Sequence, residues 1–82
     1  KEKPNLIFID IDAFTNGPFG FVNELRQYVE VSPHFIAISA TKYNAYKALK
    51  LDFIDYLLLP LSELEIRKAV LKFQKMVEFL NF

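Results

Sequence analysis

An α/β fold with a parallel sheet, in the order β-α-β-α-β-α, is what three features of this sequence predict. Leu6-Ile7-Phe8-Ile9, Phe35-Ile36-Ala37-Ile38 and Tyr56-Leu57-Leu58-Leu59 are short, wholly apolar runs, the pattern of strands buried on both faces. The segments that follow them carry apolar residues at three- and four-residue steps, the spacing of one helix face. Strict alternation of the two kinds of segment calls for parallel strands joined by right-handed helical crossovers.

The elements follow in order. After the first strand, Thr15-Asn16-Gly17-Pro18 is a loop cluster. Phe21, Val22, Leu25, Tyr28 and Val29 then line one side of a helix predicted over 19–30, with Asn23, Glu24, Arg26 and Gln27 between them. Ser32-Pro33 ends it, because the residue before proline is driven out of the α region. His34 reads as a surface residue before the second strand, which Ser39-Ala40-Thr41 closes. A short helix suits 43–51, with Thr41 as its N-cap. Pro60 stops the third strand, and Ser62-Glu63-Leu64-Glu65 matches a capping box. The helix it opens, over 62–80, sets Ile66, Val70, Phe73, Val77 and Leu80 on one face and Lys68, Lys72 and Lys75 on the other. Three strands are few for such a sheet, which usually has about five or six.

Composition removes several function classes. A chain of 82 residues makes one small domain, which buries only roughly 60% of its unfolded surface. Yet 52% of it is apolar, with nine Phe and four Tyr, which speaks against disorder and for more apolar surface than one small core hides. Ten basic and ten acidic residues balance without a basic stripe, so nucleic acid is not an expected partner of this chain alone. There is no cysteine, and lone His34 excludes a multi-histidine metal site. No apolar run approaches the ~20 residues of a membrane helix. Lys1-Glu2-Lys3-Pro4 is not followed by a signal-peptide apolar region, so a cytoplasmic location is expected. Gly17 and Gly20 form neither a phosphate loop nor a dinucleotide fingerprint, which weakens a third reading as a small ligand-binding fragment.

Open parallel sheets place their sites beyond the carboxyl ends of the strands. Asp10 and Asp12 follow the first strand, Ser39, Ala40 and Thr41 the second, and Leu59 and Pro60 the third. Asp can be a phosphoryl acceptor, a neighbouring carboxylate can bind Mg²⁺, and a hydroxyl can grip a phosphoryl oxygen. Acids at strand ends also serve as plain helix caps, Ser39 also reads as a loop hydroxyl, and Tyr56 also reads as a core-filling aromatic.

Taken together, Lys3-Pro4-Asn5-Leu6-Ile7-Phe8-Ile9-Asp10-Ile11-Asp12, Ile36-Ala37-Ile38-Ser39-Ala40-Thr41 and the stretch from Leu51 to Leu61 that ends in Leu59-Pro60-Leu61 resemble the receiver domains of two-component response regulators. The resemblance extends over nearly the whole chain, in particular to receivers of regulators with a LytTR output domain. It implies a flavodoxin-like sheet and a role in signal transduction through a phosphorelay. On this resemblance Asp10 stands at the phospho-acceptor position and, with Asp12, at the Mg²⁺ position. Ser39 is at the hydroxyl switch and Tyr56 at the aromatic switch that turns inward on activation. A cis peptide before Pro60 is implied, and so is a histidine kinase as a partner.

The departures from the family are as informative. The match begins at the third of five β-α units, so residues 1–82 are expected to form a single, partial receiver-like domain without the first two units and their acidic pair. Leu59 stands where the family has a Lys, which removes the charge that stabilises a developing phosphoryl anion. Ala13-Phe14 replaces Met-Pro. The chain is therefore expected to be a non-enzymatic signalling domain, degenerate or truncated and impaired in phosphorylation, with Mg²⁺ bound weakly or not at all. The alternative is an interaction module that dimerises without phosphorylation. Either a homodimer or a partner completing the sheet edge at residues 6–9 is expected, since an apolar edge lacks protection against pairing. Tyr43, Tyr46 and the last helix form a second candidate surface.

Overall fold

The computed structural model describes residues 5–14 and 17–80. The N-terminal residues 1–4, Thr15 and Asn16 of the loop cluster, Asn81 and Phe82 lie outside them. The order is β1 (Leu6–Asp10), a 3₁₀ turn (Ile11–Ala13), α1 (Pro18–Tyr28), β2 (His34–Ser39), α2 (Ala45–Lys50), β3 (Asp55–Leu58) and α3 (Glu63–Leu80). All strands are parallel in the spatial order β1-β2-β3. Leu6 pairs with His34 and Asp10 with Ile38, while Ile36 pairs with Asp55 and Ser39 with Leu58. The predicted α/β alternation and parallel sheet are thus observed.

β2 is the centre because it is the strand whose two faces are both apolar enough to be covered. Phe35, Ile36 and Ala37 are each 0% exposed. Phe35 and Ala37 belong to a cluster with Ile9, Ile11, Phe19, Val22, Ala48 and Phe53, which brings α1 and α2 onto one face. Ile36 packs with Leu57 and Ala69 on the face covered by α3. Two successive crossovers on one face, with strands advancing in one direction, are what crossovers of a single hand produce. Arg26 of α1 donates from Nη1 to Leu51 O (2.9 Å), with its guanidinium 5.5 Å from the Phe35 ring centre, and so joins α1 to the end of α2.

Four boundaries differ from expectation. α1 stops at Tyr28, and Val29 is already extended (φ −117°, ψ 142°), so the chain leaves the helix before Ser32-Pro33 demands it. His34 is not a residue outside the sheet: its N–H donates to Asn5 O (2.8 Å), it opens β2, and its half-buried ring lies 5.9 Å from that of Phe73. β3 is shifted one residue towards the N-terminus, although Leu59 N still donates to Ser39 O (2.9 Å). Thr41 does not cap α2; its hydroxyl accepts from Tyr43 N (3.2 Å), a local turn that delays the helix until Ala45.

The end of α2 has its own device. Phe53 N donates to Ala48 O (3.0 Å) and Asp52 N to Leu49 O (3.1 Å), with Asp52 at φ 65°. This is the Schellman arrangement, completed by apolar contact between Phe53 and Ala48 in the first cluster. At the start of α3, Glu65 N donates to Ser62 Oγ (3.2 Å), as the capping box predicts. Ser62→Ala is expected to lower stability by about 1 kcal/mol, read as a lower urea midpoint at unchanged slope. A midpoint equal to wild type would show that the cap contributes nothing.

Candidate functional site

The carboxyl ends of the strands lie side by side, and the turns leaving β1 and β2 are joined by side chains. Asp10 ends β1 and caps the 3₁₀ turn, its Oδ1 accepting from Asp12 N (3.0 Å). Ile11, only 2% exposed, anchors that turn in the first apolar cluster. With Ile11 held inward, Asp12 projects across to the end of β2. Its Oδ1 accepts from Ser39 Oγ (2.8 Å) and its Oδ2 from Ala40 N (2.8 Å).

Ser39 is 0% exposed and its hydroxyl has a second duty, accepting from Thr41 N (3.1 Å). Thr41 O in turn accepts from the Tyr56 hydroxyl (2.8 Å), whose half-buried ring packs against the first cluster. Five residues from three segments thus form a continuous network: Asp12, Ser39, Ala40, Thr41 and Tyr56. Hydrogen bonds to an ionised carboxylate are the stronger kind, so Asp12 is its firmest joint.

Of the residues singled out in the sequence, Asp12, Ser39 and Tyr56 are brought into this network. Asp10 stands beside it, with the capping geometry that had been the plain alternative reading. Leu59, 45% exposed, follows β3, and the Leu59–Pro60 peptide is cis, as the resemblance implied. The main-chain groups of Ala40 and Thr41 were not foreseen as participants. Their part depends on turn geometry, which residue type does not reveal.

The donor set bears on Mg²⁺. Among the described residues no three His, Cys, Asp or Glu side chains converge. Both Asp12 oxygens are engaged by the β2 end, which leaves Asp10 as the nearby carboxylate for an ion that prefers octahedral oxygen coordination. A shallow groove of about 260 Å³ runs between α2 and β3, lined by Leu49, Phe53, Tyr56 and Lys72 among others. Lys72 Nζ lies 3.1 Å from Asp55 Oδ2 and ties α3 to β3. Tyr43, just before α2, and Tyr46, within it, are 89% and 71% exposed. Among the described residues no helix is long and apolar enough to cross a membrane.

No family model matches the chain. Among curated proteins, the sensory transduction protein LytT of Bacillus subtilis (strain 168) is 30% identical over 74 residues, covering 90% of this chain and 30% of that protein. LytT of Bacillus anthracis is 29% identical over 75 residues, covering 92% and 30%. The sensory transduction protein LytR of Staphylococcus haemolyticus is 30% identical over 81 residues, covering 99% and 31%. The chain therefore spans about a third of the length of these relatives. Fold and comparisons agree on a small receiver-domain-like α/β fold, related at low identity to sensory, two-component regulatory proteins.

Proposed function

We propose that this chain is a receiver-like signalling domain of a two-component response regulator, cytoplasmic and impaired in phosphorylation, that acts through protein contacts. The observation that carries this reading is the allocation of groups at the strand ends. The switch-position hydroxyl of Ser39 is engaged by Asp12, while Asp10 caps its own turn and Leu59 supplies no cation. A phosphoryl group forming on Asp10 would meet neither the charge nor the Mg²⁺ ligands that such transfer depends on. By resemblance the upstream partner is a histidine kinase. The second reading, a dimerisation module indifferent to phosphorylation, draws support from the apolar edge of β1.

The test is incubation with acetyl phosphate and Mg²⁺, followed by intact mass. The expected result is unmodified chain as the dominant species, with Asp10→Asn indistinguishable from wild type. A stoichiometric phosphoryl adduct that Asp10→Asn abolishes would overturn the reading.

A further inference from the structure

Asp12 is exposed, yet it makes the two long-range side-chain bonds that join the ends of β1 and β2. A buried hydroxyl and a main-chain N–H, both 2.8 Å from one carboxylate, have the geometry of an oxyanion receptor with its anion in place. The anion comes from the same chain, 27 residues before Ser39. Being tethered, it is present at an effective concentration that no freely diffusing anion matches.

We infer that Asp12 is an internal anion clamp: its carboxylate fills the receptor made by Ser39 Oγ and Ala40 N and holds the turn after β2 in one arrangement without an external ligand. The clamp reaches further than its two bonds. Ser39 Oγ also receives Thr41 N (3.1 Å), and Thr41 O receives the Tyr56 hydroxyl (2.8 Å), so the position of the turn sets where the aromatic ring is held. Asp10 makes neither carboxylate bond; it seats Asp12 from behind, its Oδ1 accepting from Asp12 N (3.0 Å), an acceptor that Asp10→Asn retains. The regulatory meaning of the clamp rests on the receiver-like reading above; its existence does not.

The test is amide exchange by NMR on the full 82-residue chain without phosphoryl donor, comparing Asp12→Ala, Asp12→Asn, Ser39→Ala and Asp10→Asn. In Asp12→Ala, exchange at Ala40 and Thr41 is expected to quicken about tenfold or more relative to β2 core amides, as a local opening does. The Ala40 amide proton should also lose the downfield shift that a carboxylate acceptor causes. Asp12→Asn, which retains one acceptor oxygen, should fall between. Ser39→Ala should loosen Thr41, and Asp10→Asn should leave Ala40 within about twofold of wild type. The clamp is overturned if Ala40 and Thr41 exchange in Asp12→Ala as in wild type, or quicken only in step with the β2 core. Should Asp12→Ala fail to fold, Asp12→Asn and Ser39→Ala decide by the same criterion. A phosphoryl adduct on Asp10 would defeat the receiver-impairment reading and leave this result standing; unchanged exchange would do the reverse.

Discussion

Phe35→Ala is expected to cost about 3–5 kcal/mol and to leave little folded chain at room temperature. Phe35 is fully buried at the middle strand, its ring 5.5 Å from that of Phe53 and nearly parallel to it. Phe53 meets Phe19 edge-on at 5.7 Å, and the Arg26 guanidinium lies over the Phe35 ring, 5.5 Å from its centre. Truncation would empty a space bounded by α1, α2 and β2 together, and no single element could move in to fill it. Small domains have only ~5–15 kcal/mol in total, so the loss takes a large share. Phe35→Leu, which keeps most of the volume, should cost less than about 1.5 kcal/mol. Urea unfolding followed by far-UV circular dichroism measures both. A Phe35→Ala cost below about 1 kcal/mol would mean that the cluster is loosely packed.

The second large effect concerns association. Among the described residues β1 has a hydrogen-bonding neighbour on one side only, and its residues 6–9 carry no charge. Such an edge invites pairing with a second copy across a two-fold axis. Sedimentation equilibrium is therefore expected to show a concentration-dependent dimer. The structure also says which residue should break it. Ile9 is 7% exposed and Ile7 packs on the first cluster, so changes there would damage the core. Phe8 is 39% exposed and lies on the edge itself. Phe8→Lys sets a charge from each copy into the shared apolar strip and should weaken the dimer by about 2–4 kcal/mol, roughly 30- to 1,000-fold, with the fold retained. A strictly monomeric wild type at high concentration would refute the idea. A dimer that resists Phe8→Lys but yields to Tyr46→Glu would move the interface to α2.

How much of this was legible in advance differs from element to element. The runs at residues 6–9 and 35–38 announced strands because uninterrupted apolar character has few other uses in a chain of this size. The capping box at Ser62 and Glu65 announced the start of α3, since both the signal and the bond are local. The positions of Asp10, Asp12 and Ser39 after strand ends were legible as well, while Tyr56 was singled out only through the family resemblance. Their allocation was not. Which carboxylate meets Ser39 depends on Ile11 being pulled into the core, which turns Asp12 rather than Asp10 towards the end of β2.

The amino-acid sequence by itself determined the α/β class, the alternation of elements and the polar residues that follow the strands at one end of the sheet. These follow from periodicity and composition, which act over a few residues at a time. Tertiary structure alone decided that His34 joins β2, that Thr41 turns the chain instead of capping α2, and that Asp12 bridges two strands while Asp10 caps its own turn. Each of those outcomes is a choice between two satisfied states of the same polar group. Local energies differ little between them, and the choice is made by the register of β1 on β2 and by which neighbouring side chain the core takes in.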